Sequence, residues 1–324
     1  MYALDDLKEK DFFRNKKVVV TGGCGFIGSH LVQSLVDLGA DVTVIDNLTS
    51  GKVENIHSVI NKVKLIIDDI RKPGVVEKAG KFDILFNEAA TSLIPSFKDP
   101  LGDLHVNTGG IINVLEAARK FDSKVIHASS GSVYGNPIRI PIDEEHPLNP
   151  VSPYGVSKLA AEYYCKLYFQ LYGLNVSCLR YFNVYGPRQR IGEETGVIPI
   201  FVSRIFFSEP ITIFGDGFQT RDFLHVTDCV RANLLAAISE NIKGLAINIG
   251  GKNNEVKILD LAYMIMKLLN KRTQIIFKDP KPGDVRRLVA DISKAKTLLR
   301  YEPKISIEEG LLDYINYFRS YVKT

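Results

Sequence analysis

Tyr154, Lys158 and Ser130 are the residues whose types and spacing point most directly to chemistry. Tyr154 and Lys158 are four positions apart, so on a helix both side chains lie on one face. A phenol has a pKa of about 10 and is a weak base at neutral pH, but a fixed cation nearby favours the phenolate. We therefore expect Lys158 to lower the pKa of Tyr154. Ser130 would orient a substrate alcohol whose proton the phenolate removes, which helps to expel hydride from the carbinol carbon.

A site for the hydride acceptor is indicated by the glycine-rich segment TGGCGFIG at residues 21–28. This segment follows a predicted buried strand and opens a predicted helix, which is the context in which a dinucleotide pyrophosphate binds. Gly22 permits a tight turn, Gly25 a close backbone approach to the pyrophosphate, and Gly28 close packing of helix on sheet. The first amide groups of the helix are predicted to donate hydrogen bonds to the phosphates.

Asp46 ends the second predicted strand. A carboxylate there accepts hydrogen bonds from both ribose hydroxyls of NAD and repels the 2′-phosphate of NADP. Asn47 follows instead of an arginine, so NAD is the predicted cofactor, although Lys52 is close enough in sequence to keep NADP open. After the third predicted strand, Asp69 and Ile70 either contact the adenine edge or form an acidic turn.

Short apolar segments alternate with longer amphipathic ones. The predicted strands are 17–21, 42–45, 63–67, 83–86, 124–128, 176–179 and 245–249, and the predicted helices are 26–38, 99–121, 153–172, 258–270 and 307–322. This alternation predicts an α/β fold with a Rossmann-type, doubly wound parallel sheet. Residues 1–182, with the strand near 245–250, are predicted to form the NAD-binding domain. Residues 183–324 are predicted to form a smaller, interleaved C-terminal substrate lobe.

The composition is that of an ordinary soluble enzyme, with 45% hydrophobic and 24% charged residues among 324. A net charge of +4 suits an anionic small-molecule ligand and does not indicate nucleic acid. The four cysteines form no C-x-x-C and no histidines have metal-ligand spacing, so we expect no metal site and reduced thiols. Residues 1–17 lack the apolar core of a signal peptide, and no apolar run reaches the roughly 20 residues that span a bilayer. We therefore expect a cytoplasmic protein without membrane contact.

Seven motifs are distributed along most of the chain. They are TGGCGFIG (21–28), DNLTSG (46–51), ASSGSVYG (128–135), SPYGVSK (152–158), RYFNVYGPRQ (180–189), GDGFQTRDF (215–223) and GDVRR (283–287). As a set they resemble the extended short-chain dehydrogenases/reductases, and among these the nucleotide-sugar 4-epimerases of the UDP-glucose or UDP-N-acetylglucosamine type. The resemblance implies tightly held NAD, a UDP-sugar substrate and a homodimer. Apolar residues on more than one face of helices 99–121 and 153–172 indicate that these two helices form the dimer contact.

The resemblance also implies roles for the matching positions. Tyr154 matches the catalytic base, Lys158 the residue that binds the nicotinamide ribose, and Ser130 the hydroxyl near the C4 oxygen of the sugar. With the motifs above, the expected cofactor-binding residues are Gly22, Gly25, Phe26, Ile27, Gly28, Asp46, Asn47, Ser50, Gly51, Asp69, Ile70, Ala89, Ala90, Asn107, Tyr154, Lys158 and Tyr181. The expected substrate-binding residues are Ser92, Ser130, Ser132, Tyr154, Asn183, Val197, Arg221, Asp284, Arg286 and Leu288. Arg221 is expected to pair with the diphosphate, and Asp284 and Arg286 to close on the nucleotide.

The chain departs from the resemblance after the fourth predicted strand. The similar proteins usually carry His-Leu-Ala-Ala there, whereas this chain has Asn87-Glu88-Ala89-Ala90. Glu88 is unexpected at the end of a buried strand. The two alanines still permit a close approach of the cofactor to the backbone.

Gly131 and Ser132 discriminate between the reactions of the similar enzymes. The 4,6-dehydratases carry an Asp–Glu pair at these positions, and glucuronate decarboxylases usually carry Glu at the second. Without that acid and base, elimination of water has no evident catalyst, so we expect oxidation and re-reduction at C4 of a UDP-hexose. Leu288 matches a position that controls room for an N-acetyl group at C2, and leucine leaves the glucose/galactose pair and the N-acetylated pair open. UDP-glucuronate 4-epimerase, another nucleotide-sugar-modifying enzyme and a non-catalytic NAD sensor are the alternatives.

Overall fold

In residues 10–192, 196–252, 254–280 and 285–323, which the computed structural model describes, seven parallel strands form the central β-sheet. These seven strands and those of the smaller sheets are numbered together in chain order. They are β1 (Lys17–Thr21), β2 (Asp41–Asp46), β3 (Val63–Ile67), β4 (Ile84–Asn87), β5 (Lys124–Ser130), β6 (Val176–Tyr181), β7 (Val184–Tyr185), β8 (Ile211–Phe214), β9 (Thr220–Asp222), β10 (Leu224–His225), β11 (Ala246–Ile249), β12 (Glu255–Lys257), β13 (Ile275–Lys278) and β14 (Arg287–Leu288). The order across the central sheet is β11-β6-β5-β4-β1-β2-β3. The direction of winding reverses between β1 and β4, so the predicted Rossmann-type, doubly wound sheet is confirmed.

Helices cover both faces of this sheet. They are α1 (Phe26–Asp37), α2 (Leu93–Lys98), α3 (Pro100–Leu104), α4 (Gly110–Phe121), α5 (Pro153–Tyr172), α6 (Val197–Phe206), α7 (Val226–Ile238), α8 (Ile258–Leu269), α9 (Ser293–Leu299) and α10 (Ile307–Lys323). Val18 and Val20 of β1 enter the apolar core with α1 and α7, whereas Val19 enters the core with α4 and α5. Because both faces of the strand are buried, its sequence is continuously apolar.

The prediction of a single regular helix over 99–121 is wrong. Asp99 caps α3, and its Oδ1 accepts a hydrogen bond from the Gly102 amide at 2.8 Å. A π-helical turn, His105–Gly109, then separates α3 from α4. Such turns are frequent at functional sites, and this one contains Asn107, one of the predicted cofactor residues.

The segments after β6 form smaller sheets around a second apolar core. Strand β9 lies between β12 and β14, β8 pairs with β13, and β7 pairs with β10. Phe201 of α6, Leu261 of α8 and Leu311 of α10 are buried together. Because α7 and β11 return to the central sheet, the two parts of the chain interleave. The domain boundary between residues 182 and 183 stays a prediction.

In the part of the chain that the structure describes, no helix combines the length and apolar character that crossing a bilayer requires. Nor does that part of the chain contain a cluster of three or more His, Cys, Asp or Glu side chains able to hold a metal ion. Asp284, a predicted substrate residue, lies outside the described residues.

Candidate active site

The glycine-rich turn joins β1 to α1 and leaves no room for a side chain at Gly22 or Gly28. Gly22 has a φ of +66°, and a Cβ on it would lie 2.6 Å from the Ala89 amide nitrogen. A Cβ on Gly28 would lie 2.2 Å from the Gly22 carbonyl oxygen. Gly25 is the N-cap of α1, whose first turn carries no acidic side chain. The first amide groups of a helix have no partner within it, so this turn offers N–H donors and positive potential to a pyrophosphate and fits a dinucleotide.

Asp46 is buried at the end of β2, against the glycine turn. Its Oδ2 accepts a hydrogen bond from the Cys24 amide at 2.9 Å, and its Oδ1 accepts one from the Leu48 amide at 2.8 Å. A Cβ on Gly51 would lie 2.8 Å from Asp46 Oδ2, so the segment after β2 folds around the carboxylate. Its oxygens retain lone pairs for ribose hydroxyls, and that contact stays a prediction.

An acidic turn follows β3. Asp69 accepts two hydrogen bonds from the Arg71 guanidinium, at 2.9 and 2.7 Å, and one from Asn47 Nδ2 at 2.8 Å. The Arg71 contact, above all, holds the pKa of Asp69 well below its usual range. Ile70 is buried, and its side chain would meet a Cβ placed on Gly110. Both groups are thus fixed by the protein itself, and an adenine contact stays a prediction.

Tyr154 and Lys158 lie on one face of α5, beside Ser130 at the end of β5. The Lys158 Nζ is 5.8 Å from the centre of the Tyr154 ring and donates a hydrogen bond to the Ala128 carbonyl oxygen at 2.8 Å. A hydrogen bond links Tyr154 with Ser130. Ser130 also donates to Ser132 Oγ at 3.1 Å. The structure therefore brings the three predicted catalytic residues together.

The expected lowering of the Tyr154 pKa is wrong. Burial raises the pKa of Tyr154 to about 12, and the hydrogen bond with Ser130 offsets part of that rise. Burial also lowers the pKa of Lys158 to about 8, against the opposing influence of Glu88 and Asp103. The helix carries both groups into a cleft where desolvation disfavours the charged form of each.

Asn107 joins polar groups of α3, of α5 and of the segment that follows β4. Its Nδ2 lies 2.9 Å from both Asp103 Oδ1 and Ser157 Oγ, and its Oδ1 accepts a hydrogen bond from the Thr91 amide at 3.1 Å. Ser157 also donates to Asp103. This network fixes α5 immediately before Lys158. Sequence analysis missed Thr91, Asp103 and Ser157, because the π-helical turn that assembles them has no signature in the residue pattern.

A buried ion pair also fixes α5, and sequence analysis missed it. The Arg180 guanidinium donates to the two carboxylate oxygens of Glu162 at 2.9 and 2.6 Å, and Ser129 donates to the same carboxylate. Glu162 follows Lys158 by one helical turn, and Ser129 directly precedes Ser130. The four-residue spacing from Lys158 to Glu162 was a signal that both lie on one face, although it did not identify Arg180 as the partner.

Predicted substrate residues come together in the small sheets. Arg221 of β9 is in register with Leu288 of β14, so the expected diphosphate ligand and the expected selectivity residue are neighbours. Asn183 has a φ of +38°, and its Nδ2 donates to the Asp222 carbonyl oxygen at 2.9 Å. These positions agree with a shared substrate site, and each substrate contact stays a prediction.

A cavity of about 690 Å³ lies beside β8 and β13. Its lining includes Phe214, Gln219, Phe277 and Arg286. Arg286, expected to face the nucleotide, donates to the Asp216 carboxylate at 2.7 and 3.0 Å in an exposed pair. The volume and the aromatic lining suit a nucleoside.

The remaining predicted residues lie at the ends of strands and the starts of helices. Phe26 and Ile27 begin α1, Ser50 lies after β2, Ala89 and Ala90 follow β4, Ser92 is the N-cap of α2, Tyr181 ends β6, and Val197 begins α6. In an open parallel sheet, ligands bind outside the carboxyl ends of the strands. The cofactor residues among them therefore lie where that rule places a dinucleotide.

A doubly wound sheet with this glycine turn and this Tyr–Lys–Ser group places the protein among the dinucleotide-dependent enzymes of Rossmann-type fold. The sequence profile of the NAD dependent epimerase/dehydratase family matches residues 18–250. The protein therefore belongs to that family, which is the extended short-chain dehydrogenase/reductase group that the motifs resemble. It is an enzyme of the UDP-sugar epimerase/dehydratase type, with NAD as its cofactor.

The similar proteins named here share one reaction type, 4-epimerisation of a UDP-sugar, but they differ in the sugar. A putative UDP-glucose 4-epimerase of Methanocaldococcus jannaschii is 41% identical over 312 residues, which cover 95% of this chain and 100% of the relative. The solved UDP-glucose 4-epimerase of Thermotoga maritima, with UDP-glucose, superposes with a TM-score of 0.90 at 37% identity, covering 94% of this chain and 99% of its own. The UDP-glucuronic acid 4-epimerase of Bacillus cereus, with UDP-glucuronic acid and NAD, gives 0.88 at 35% identity, with the same two coverages.

Proposed function

We propose that this protein inverts C4 of a UDP-hexose through a 4-keto intermediate, acting on UDP-glucose/UDP-galactose or on the corresponding N-acetylated pair. The observation that carries the proposal is the assembly of Ser130, Tyr154 and Lys158 at the ends of β5 and α5. In the same proposal, residues 1–182 with β11 hold NAD, and residues 183–324 supply most of the UDP-sugar contacts.

The three catalytic side chains have different roles in the reaction at C4. NAD, when bound, supplies a reversible hydride acceptor for C4. Tyr154 takes the O4 proton and later returns it, while Ser130 orients the hydroxyl and lowers the pKa of the phenol by its hydrogen bond. Lys158 contacts the nicotinamide ribose in this proposal. Inversion requires the 4-keto sugar to turn about its diphosphate linkage, and Arg221 suits that anchorage because its planar fork pairs with phosphate oxygens.

Packing around Gly131 opposes an elimination reaction. A Cβ on Gly131 would lie 3.1 Å from the Phe182 ring, so an aspartate there would require that ring to shift by a few tenths of an ångström. Ser132, the next residue, carries a hydroxyl and no carboxylate. The acid and base that remove water in the similar dehydratases are therefore not supplied by these positions.

UDP-glucuronate 4-epimerisation is the second candidate. It is favoured by the similarity to the Bacillus cereus enzyme that was solved with UDP-glucuronic acid. A C6 carboxylate would require an additional cation in the sugar site.

A direct assay tests these substrates. Purified protein is incubated separately with UDP-glucose, UDP-N-acetylglucosamine and UDP-glucuronate, and C4 epimers are quantified by NMR. We expect conversion of UDP-glucose, of UDP-N-acetylglucosamine, or of both. Conversion of UDP-glucuronate alone would replace the proposal by the second candidate. NAD binding with no conversion of any of the three sugars would contradict the proposal.

We also propose a homodimer formed through α5 and the helical segment 100–121. Tyr163, Leu167 and Leu171 of α5 expose 42 to 62% of their surface, and Leu101 and Leu104 of α3 expose 60 and 42%. Helix α3 packs against α5, so the two exposed apolar sets lie on adjoining helices. Apolar surface that is contiguous over neighbouring helices is characteristic of an interface between protein molecules.

A further inference from the structure

Glu88 is a carboxylate in the cofactor cleft that the catalytic trio does not use. It directly follows β4, at the carboxyl edge of the sheet. A Cβ on Gly22 would lie 2.6 Å from the Ala89 amide nitrogen and 2.9 Å from the Glu88 carbonyl carbon. Residue 88 therefore lies against the turn that fits the pyrophosphate, at the edge where this fold binds its ligand.

Hydrogen bonds from α7 and β6 orient the Glu88 carboxylate. Asn233 Nδ2 donates to the Cys229 carbonyl oxygen at 3.0 Å and to the Tyr181 hydroxyl oxygen at 2.7 Å. The single Tyr181 proton can then be donated to Glu88 Oε1, 3.0 Å away. Asn233 Oδ1 also lies 3.0 Å from that hydroxyl, but a carboxylate is the stronger acceptor. The chain of bonds thus ends in a charged acceptor.

The charged and titratable groups that face Glu88 come from α5, β6 and α7. Lys158 is the cation among them, and Tyr154, Tyr181 and Cys229 are the acidic groups. Burial raises the pKa of Glu88 to about 7, against the hydrogen bond from Tyr181 and the charge of Lys158. Glu88 Oε2 accepts no hydrogen bond from any residue that the structure describes, and residue 88 keeps a minor part of its surface exposed. One carboxylate oxygen is therefore available to a ligand in the cleft.

We propose that Glu88 is the counter-charge of the oxidised nicotinamide and makes this site bind NAD in preference to NADH. The oxidised ring carries a positive charge, whereas the reduced ring is neutral. Proton and hydride leave from one carbinol, so the ring must lie close to Tyr154 and Ser130. Glu88 accepts a hydrogen bond from the hydroxyl of Tyr181, and Tyr181 is in register with Ser130 where β5 and β6 end. A carboxylate at that place stabilises the oxidised form more than the reduced form.

This preference suits a reaction with no net change in oxidation state. If the 4-keto intermediate escapes, NADH remains bound and the enzyme stops. A site that favours the oxidised cofactor limits the fraction of enzyme that is left inactive with bound NADH. The inference itself rests on NAD binding and requires none of the proposed sugar substrates.

The test compares wild type with Glu88→Gln, which keeps the shape and an acceptor for Tyr181 but removes the charge. Dissociation constants for NAD and NADH are measured by calorimetry on cofactor-free protein, without sugar. We expect the ratio Kd(NADH)/Kd(NAD) to fall about tenfold in the variant, an effect equivalent to one pKa unit. Below about pH 7, the wild-type ratio should approach that of the variant, because the carboxyl becomes protonated.

Two further variants complete the design. Glu144→Gln is the matched control, because Glu144 accepts a hydrogen bond from the Asn248 amide and is none of the predicted cofactor residues, and it should keep the wild-type ratio. Glu88→Leu carries the residue usual in the similar proteins and should repeat the result if Glu88→Gln does not fold. An unchanged ratio in a folded Glu88 variant overturns the counter-charge. Failure of the protein to epimerise any sugar would leave this measurement unaffected.

Discussion

The Arg180 guanidinium forms two parallel hydrogen bonds with the Glu162 carboxylate, at 2.9 and 2.6 Å, in the interior of the protein. Glu162 belongs to the helix that carries Tyr154 and Lys158. Arg180 belongs to β6 and directly precedes Tyr181, a predicted cofactor residue. The pair therefore holds the catalytic helix against the strand whose end lines the cofactor cleft.

Glu162→Gln should lower the free energy of unfolding by about 3–5 kcal/mol, because Arg180 would keep a buried charge without its partner. Urea unfolding followed by circular dichroism measures this change. The control is Asp11→Asn, which removes one member of an exposed ion pair with Arg14 and should leave stability unchanged. Equal stabilities of Glu162→Gln and wild type would contradict the structural role of the pair.

Tyr154→Phe should slow C4 epimerisation by about 10²–10⁴-fold, since the phenol is the group that exchanges the O4 proton. The ring is retained, so the fold and NAD binding should persist. NMR of the sugar product measures the rate, and calorimetry with NAD verifies the site. Turnover close to that of wild type would exclude Tyr154 as the base.

Asp222 should make stability depend on pH in the acidic range. Its carboxylate accepts hydrogen bonds from the Gly251 and Ala290 amides, at 3.1 and 3.4 Å, but burial outweighs them and raises the pKa to about 6 from 3.8. Between those values the folded protein binds more protons than the unfolded chain, so the free energy of unfolding falls as pH rises.

The comparison with Asp222→Asn isolates this contribution. The free energy of unfolding of wild type, minus that of the variant, should fall by about 3 kcal/mol between pH 3 and pH 7 and then stay level. Any constant effect of the new amide cancels, because only the change with pH is compared. A difference that is independent of pH would show that Asp222 titrates as in the unfolded chain.

Leu167→Arg should prevent dimerisation, because it places a charge in the exposed apolar face of α5. Wild type should sediment as a dimer at micromolar concentration, and the variant as a monomer. Tyr263→Arg alters an exposed aromatic residue on α8 instead, and it should remain a dimer. A monomeric wild type would refute the proposed contact.

Much of the fold was predictable because its signals are local. The apolar strand 17–21 and the glycines after it are dictated by neighbouring residues, and the structure gives β1 the predicted bounds. Helix α5 also has its predicted bounds, with Pro153 at its start. The four-residue spacing placed Tyr154 and Lys158 on one face without knowledge of any other element.

Burial and long-range contacts were decided only by the tertiary structure. The sequence predicted a lowered Tyr154 pKa from its neighbour Lys158, whereas the folded cleft desolvates both groups and raises it. Glu162 and Arg180 are eighteen positions apart on different elements, so their pairing depends on how α5 packs on β6. Residue order fixes which groups are close along the chain, but solvent access and partners across elements exist only after packing.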